Sequence, residues 1–374
     1  MNAIEPGPLQ HLIDPENCAR CGSCESECQT QAISHDARNY VVDADKCTAC
    51  QDCVAVCPTG AIDYWLAPPA DGSYSLAEQF GWDSLPADAP EQMPAVAGED
   101  GARTNLFTAK APLLAQVREN RRVTPADCGS DIRHIVLDLG SNAVPLREGQ
   151  TLGVIAPGVD ASGRAHAMRA YSIASARDGE YAGSNTTAFT VKRVDGAIPG
   201  LCSNHLCDLE PGAAVALIGP YGSDFLLPAA PAAKLLMICT GTGIAPLRGM
   251  LQRLQRQPSP LQPALLFYGA RTPGEMAYRD ELSALPSSLL DFNPAFSRSP
   301  QHPRRYVQDL LLARGERTLQ WLRDPHGHVY ICGVKGLEYG ALAAFAALCQ
   351  GDGIDWGVLY ERLIVEKRLH VETY

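Results

Sequence analysis

Eight of the chain's 14 cysteines carry its clearest chemistry. Cys18, Cys21, Cys24 and Cys28 read C-x-x-C-x-x-C-x-x-x-C, and Cys47, Cys50, Cys53 and Cys57 repeat that spacing and close on Pro58. Each cysteine of the first set has its counterpart 29 residues on, and Ile33 maps to Ile62 within matching Ala-Ile pairs. Soft thiolates at this spacing select iron–sulfur clusters. Three cysteines on one tight loop cover one side of a cubane, so the fourth ligand has to come from elsewhere. In the two-cluster arrangement the fourth cysteine crosses over. That assigns Cys18, Cys21, Cys24 and Cys57 to one [4Fe–4S] cluster, and Cys47, Cys50, Cys53 and Cys28 to the other. Zinc sites pair two C-x-x-C knuckles, so triple knuckles fit them poorly. A disulfide framework expects a secreted chain. Gln29 departs from the repeat, standing where the second copy has Pro58; this bears on local rigidity and potential, not on ligation.

Further along, Arg169-Ala170-Tyr171-Ser172 carries a guanidinium, an aromatic ring and a hydroxyl on one predicted strand. A guanidinium can clamp a pyrophosphate bidentately. A ring two residues on, on the same face, can stack on a flavin, and the hydroxyl can meet a polar ring edge. Alone, such a tetrapeptide is an ordinary strand. Gly200–Leu206 reads as a glycine turn entering a helix, which offers backbone donors to phosphate. Thr240-Gly241-Thr242-Gly243-Ile244-Ala245-Pro246 lies between an apolar strand and a helix, where glycines let a pyrophosphate approach the helix N-terminus. It is not G-x-G-x-x-G. Cys332 precedes Gly333 at the end of another apolar strand and, alone, reads as a buried strand cysteine.

These residues need scaffolds, and 374 residues suffice for two or three domains. Residues 1–66 form a small cluster module whose stretch 32–43 reads as two short strands around a polar turn, with another strand at Ala61–Trp65. Residues 67–109, with Pro68, Pro69, Pro86, Pro90 and Pro94, read as an acidic linker in which only Tyr74–Trp82 can dock, around Leu76, Phe80 and Trp82. Residues 110–230 alternate in short stretches (Arg133–Leu139, Thr151–Ile155, Ala188–Val194, Ala214–Gly219) punctuated by glycine and proline, which predicts a closed antiparallel barrel. Residues 231–374 alternate strands (Lys234–Thr240, Ala264–Ala270, Asp291–Arg298, Val329–Val334, Leu369–Tyr374) with helices (Pro246–Gln257, Tyr306–Arg323, Leu337–Gln350). That pattern predicts a doubly wound, mostly parallel α/β sheet with ligands at the carboxyl ends of its strands.

The net charge of −11 is unevenly spread: residues 1–101 hold 17 acids against 3 bases. That balance argues against phosphate-neutralising binding to nucleic acid for that part; an acidic electron carrier would be steered to a basic partner, and the plainer reading is that the acids keep a small cluster domain soluble. No apolar run reaches the eighteen or so residues of a membrane span. The start lacks a basic region followed by an apolar core, so a signal peptide is not expected, and the predicted compartment is cytoplasmic.

From about Arg118 to Tyr374 the chain resembles a plant-type ferredoxin–NADP reductase. The matching pieces follow that family's order: Arg169–Ser175 (RAYSIAS), Val191–Arg193 (VKR), Gly200–Leu206 (GLCSNHL), Gly219–Gly222 (GPYG), Gly241–Arg248 (GTGIAPLR), Ser297-Arg298, Tyr330–Gly336 (YICGVKG) and Val371-Glu372-Thr373-Tyr374. The resemblance implies FAD in the barrel, held by Arg169, Ala170, Tyr171, Ser172, Thr190, Val191, Lys192, Leu201, Cys202 and Ser203. It implies NADPH on the α/β domain at Thr240, Gly241, Thr242, Gly243, Arg271, Ser297, Arg298, Arg304, Tyr306, Gln308, Gly333 and Lys335. In the family a Ser-Arg pair opens the 2′-phosphate site and a basic residue two before a Tyr completes it; Arg304 stands where Lys is common. A doubly charged phosphate wants Arg plus hydroxyl donors, which favours NADPH over NADH. Tyr374 would stack on the flavin face that the nicotinamide must take, and Ser172, Cys332, Glu372 and Tyr374 would orient the rings for hydride transfer. Cys128, Cys207, Cys239 and Cys349 are assigned structural roles.

A two-cluster ferredoxin ahead of such a reductase is an uncommon order. With Ile13–Trp65 and Ser75–Pro86 (SLAEQFGWDSLP) included, the whole chain resembles the reductase components that serve di-iron oxygenases acting on benzoyl-CoA. That implies a separate di-iron oxygenase as electron acceptor; the chain itself lacks the Glu-x-x-His pair that builds a di-iron site in helices. A general NADPH:acceptor oxidoreductase and a non-catalytic cluster-holding redox sensor are the competing readings.

Overall fold

The computed structural model describes residues 9–57, 59–68, 72–86, 96–97, 102–160, 163, 165–230, 232–256 and 263–374. Pro58, Pro69, Pro90, Pro94 and Gln257, invoked above, lie outside the described residues. The cysteine module contains β1 (Gln10–Leu12), α1 (Ser23–Glu27), β2 (Ile33–His35), β3 (Tyr40–Val42), α2 (Asp52–Ala55) and β4 (Tyr64–Leu66). β2 pairs antiparallel with β3, and β1 with β4. The last strand starts later than Ala61 because Ala61 and Ile62 turn inward to the core beside Ile13 and Ile33. The internal repeat is also a conformational one. Arg20 and Ala49 lie at φ 53° and 56°, and Gly22 and Gln51 at 77° and 67°.

Part of the expected linker is packed on this module. Ser75 caps α3 (Leu76–Gly81) reciprocally with Glu78. The buried Gln79 accepts from the Val42 N–H at 3.1 Å and donates to the Val42 carbonyl at 3.0 Å. Tyr74, Trp82 and Leu85 close over Leu12, Tyr64 and Leu66. Thus Gln79 is buried here, while Leu76 and Phe80 stay half-buried. A short hairpin, β5 (Val96–Ala97) with β6 (Ala102–Arg103), follows, and Phe107 bridges to Gly219.

The barrel consists of β7 (Leu113–Arg122), β8 (Ile132–Asp138), β9 (Thr151–Val154), β10 (Arg169–Ser172), β11 (Thr186–Lys192) and β12 (Ala214–Tyr221), with α4 (Leu201–Asp208) before the last strand. The sheet order is β10-β9-β12-β7-β8-β11, all antiparallel, and a bridge between Ile173 and Phe189 brings its two edges together. Alternate residues of β7 (Leu113, Ala115, Val117) point inward with Leu152, Val154, Phe189 and Val191.

The α/β portion holds β13 (Lys234–Thr240), α5 (Ile244–Arg256), β14 (Ala264–Ala270), α6 (Arg279–Ser283), β15 (Leu290–Phe296), α7 (Val307–Ala313), α8 (Gly315–Arg323), β16 (Gly327–Gly333), α9 (Leu337–Gly351), α10 (Trp356–Val365) and β17 (Leu369–Thr373). The order β15-β14-β13-β16-β17 is parallel throughout. Helices cover both faces, α5 and α6 on one and α7 to α10 on the other. The single helix expected over Tyr306–Arg323 is broken at Arg314 (φ −103°, ψ 31°). Leu348 of α9 approaches so closely there that a Cβ on Gly315 would lie 2.6 Å from it.

The three parts touch. Ala19 of the cysteine module packs with Met168, Ile218 and Tyr221 of the barrel. Arg169 donates to the Ala19 carbonyl at 3.3 Å, Tyr221 donates to Asn17 at 3.5 Å, and Lys110 pairs with Glu16 at 3.3 Å. Barrel and α/β sheet meet at the buried Arg248, treated below. No helix among the described residues is long and apolar enough to cross a membrane.

A histidine pair makes one part of the fold acid-sensitive. His370 stacks on Tyr330 at 4.4 Å and 13° and donates from Nδ1 to the Asp224 carbonyl. Its Nε2 is then the acceptor for His328 Nδ1 at 3.2 Å, an arrangement that needs the His370 ring neutral. Burial lowers both to about 4. Between about pH 6.5 and 4 the unfolded chain therefore binds more protons than the folded one, and stability falls as pH falls. The pair's contribution is complete above that window and lost below it. His370→Phe should flatten this acid limb by about 2 kcal/mol, read from thermal melts at pH 7 and pH 5.

Candidate functional site

Two recesses divide the eight cysteines by the crossed pattern. Cys18, Cys21, Cys24 and Cys57 line one, with Ile13, Gly22 and Tyr40. Cys28, Cys47, Cys50 and Cys53 line the other, with His11, Thr48 and Gln51. Burial, then the nearness of Cys57 and Cys21, pushes the Cys18 thiol up to about 11; burial, then Cys47 and Cys50, does the same for Cys53. Bare Cys18 and Cys53 would stay protonated, so a metal cluster has to displace their protons as it binds. A set of four sulfurs on each recess fits a cubane.

The motif reading missed the groups around those sulfurs. The Ala32 N–H points at Cys28 Sγ at 3.3 Å, with the Thr30 hydroxyl at 3.6 Å; Thr59 stands 3.7 Å from Cys57. Burial alone would raise Cys28, but these donors prevail and lower it. The signal was present as a C-x-T in each copy. His11, stacked on Trp65 at 4.1 Å, lies 3.8 Å from Cys47.

In the barrel, β10 carries Arg169, Ala170, Tyr171 and Ser172 beside β9 in register with Val154 to Thr151. Tyr171 packs on Phe189 at 5.6 Å, and the Cys202 thiol of α4 donates to the Val154 carbonyl of β9 at 3.6 Å. Burial, then the nearness of the Cys202 thiol, raises the Tyr171 phenol well above its usual range. Gly200 begins α4 with no side-chain cap, which leaves the first-turn amides around Leu201–Ser203 as phosphate donors. Lys192 ends β11 exposed; Val191 points into the core. The Thr190 hydroxyl is bonded to Tyr278 at 2.7 Å. Cationic Arg169 and Lys192, a half-buried ring and an uncapped helix start are a donor set suited to FAD.

At the carboxyl edge of the parallel sheet the expected residues converge. A 3₁₀ turn at Gly241–Gly243 joins β13 to α5, and Gly241 lies at φ 57°. A Cβ on Gly243 would strike the Cys332 carbonyl at 2.1 Å, so only glycine fits there. Val334 N–H donates to the Thr240 hydroxyl at 3.3 Å, with Gly333 packed against it. Cys332 is in register with Glu372 on β17. Dense surroundings push the half-buried Glu372 up to about 8, so it holds a proton at neutral pH. The Lys335 N–H donates to the Tyr374 carbonyl at 3.0 Å, and the Tyr374 hydroxyl bonds Thr242 at 2.6 Å. Cys332, Glu372 and Tyr374 thus share one edge of the sheet, while Ser172 ends β10 of the barrel. Two further turns form a basic ledge. The Arg298 N–H donates to the Arg271 carbonyl at 2.7 Å, Ser297 precedes it, and Arg304 donates to the Tyr306 hydroxyl at 2.6 Å. Gln308 lies against Gly340.

Comparison with known proteins agrees with this geometry. Residues 237–342 match the oxidoreductase NAD-binding domain family, and residues 11–64 match the 4Fe-4S dicluster domain family. The chain is 31% identical over 322 residues to a ferredoxin–NADP reductase of Synechocystis, covering 80% of this chain and 78% of that one. It is 34% identical over 292 residues to the rice leaf isozyme 1 (japonica), covering 74% and 80%. The Plasmodium falciparum ferredoxin–NADP⁺ reductase structure superposes with a TM-score of 0.59 at 23% identity, over 72% of this chain and 99% of that one, which shows the fold. An FAD- and iron–sulfur-dependent NADPH oxidoreductase accounts for the paired recesses, the barrel and the nucleotide edge together, and the chain belongs to the ferredoxin–NADP reductase family.

Proposed function

We propose that this chain is the NADPH-dependent reductase of an oxygenase system, resembling the reductase component of benzoyl-CoA 2,3-epoxidase. FAD, when bound, would take the hydride, and two [4Fe–4S] clusters would carry electrons singly toward a separate di-iron oxygenase that epoxidises benzoyl-CoA. The observation that carries this reading is the cysteine module seated, in the same chain, against the Arg169 end of the barrel. Arg169 and the start of α4 would hold the FAD pyrophosphate. Tyr374, tied to Thr242, keeps the nicotinamide's place and must move for hydride transfer. Glu372 holds a proton beside Cys332, and the glycines of 241–243 let the nucleotide approach.

The test is anaerobic reconstitution followed by rapid reduction with NADPH, then assay of oxygen-dependent benzoyl-CoA consumption with the cognate di-iron protein. About eight irons per chain are expected; about four, or none, would sink the two-cluster reading. Benzoyl-CoA left untouched, with fast flavin bleaching, would leave the general NADPH:acceptor oxidoreductase.

The basic ledge supports NADPH over NADH, and one relative's structure is of a complex with 2′-phospho-AMP. Replacing Arg298 and Arg304 together with Ala should raise the KM for NADPH by roughly 10–100-fold, with NADH kinetics unchanged. Equal rates with the two nucleotides in the unmodified protein would overturn the assignment.

A further inference from the structure

The repeat gives the cysteine module two equivalent loops, and the fold uses only one of them internally. In the first copy Ala19 is buried against Met168, Ile218 and Tyr221, Asn17 meets Tyr221, and Glu16 meets Lys110. Glu27, at the end of α1, adds its charge to the surroundings of Glu338 and Tyr360 on the α/β portion. Twenty-nine residues on, the same positions are Thr48, Lys46, Asp45 and Val56. Thr48, Ala49 and Cys50 are exposed, and the backbone repeats the first loop's positive φ values. Among the described residues, no hydrogen bond or ion pair joins 44–57 to the rest of the reductase, and Lys46 pairs with Asp43 inside the module. The second loop is thus uncovered where the first is seated on the barrel.

We propose that the Asp45–Asp52 loop is the docking face for the electron-accepting protein, and that this partner presents a basic surface. The inference rests on the electron-transfer reading above. A loop geometry already used once to seat the module against a protein surface is presented a second time, uncovered, beside the other recess. Exposed Asp45 and Asp52 flank it, on a segment with 17 acids against 3 bases, and Lys46 is neutralised by Asp43. Complementary charge would steer a basic partner to this side. One NADPH yields NADP⁺, a proton and two electrons, so it reduces two one-electron acceptors.

The probe is ferric cytochrome c, a basic one-electron acceptor, used with the reconstituted full chain. The Asp45→Lys, Asp52→Lys double variant should lower its reduction rate at low salt about tenfold and flatten the decline with ionic strength. Iron content and the cluster EPR signals after NADPH reduction should match the parent protein. The Glu316→Lys, Asp280→Lys variant, reversed on α8 and α6 of the α/β domain, should behave like the parent. Carbodiimide cross-links to cytochrome c lysines, mapped by mass spectrometry, should fall on Asp45 and Asp52. Parental rates in the first variant, or cross-links confined to other acids, would overturn the docking face while leaving the electron-transfer reading intact. Clusters that NADPH cannot reduce in the parent protein would remove that reading and the docking face together.

Discussion

Arg248→Met should cost about 3–5 kcal/mol in urea unfolding of the reductase portion, because it strands a buried charge. Arg248 on α5 is 4% exposed. It donates to Glu180 at 2.8 Å through both Nη atoms, to Glu281 at 2.7 Å and to the Ala174 carbonyl at 2.7 Å. The guanidinium also lies 4.8 Å over the Tyr278 ring. Burial alone would raise Glu180, but hydrogen bonds from His134 and Arg248 prevail and hold its carboxyl well below the usual range. Without the guanidinium, His134 at 3.2 Å and the Gln252 amide at 3.4 Å are left facing that carboxylate. Arg248→Met with Glu180→Leu should therefore lose less than Arg248→Met alone. Arg248→Lys keeps the charge but not the fork, and should fall between. Glu180, His134 and Thr190 belong to the barrel, whereas Arg248, Tyr278 and Glu281 belong to the α/β portion. The network therefore fixes the angle between the flavin wall and the nucleotide edge, and its loss should also slow flavin bleaching by NADPH.

That network was not legible in the sequence, and the reason is distance along the chain. Arg248 and Glu180 are 68 residues apart, and neither sits in a pattern that names a partner. Arg248 ended a motif read only for its glycines. The family resemblance implies Thr190 at the cofactor, and strand alternation turns its side chain toward Tyr278, a contact no local pattern names. Local chemistry fared better. Ligand spacing in the cysteine loops is a short-range property, and the recesses divide the sulfurs as the crossed assignment requires. Continuous apolar runs marked β13 and β14 to the residue, since strands covered on both faces need apolar side chains throughout. Three-residue β1 carries no usable period, and α3 is held by a buried glutamine that hydropathy would place outside.

Removing iron, or replacing both Cys24 and Cys53 with Ala, should unfold residues 10–66 while the flavin–nucleotide portion stays folded. The core of the cysteine module consists of Ile13, Ala32, Ile33, Val42, Ala61 and Ile62 around Cys24 and Cys53 themselves. A core that small is below what a domain of this size needs without metal. Metal–thiolate bonds in small metal-held domains contribute on the order of 10 kcal/mol, so their loss exceeds anything six small side chains can supply. Hydrogen exchange followed by mass spectrometry should show 10–66 exchanging freely, with 113–256 protected as before. NADPH should still bleach the flavin and reduce ferricyanide, while cytochrome c reduction falls to background. Cys128→Ala, outside both recesses, should change neither. If the module kept its protection without iron, α3 and the barrel contact at Ala19 would have to be its scaffold. In that case Gln79→Ala, which strips both hydrogen bonds to Val42, would become the variant that unfolds it.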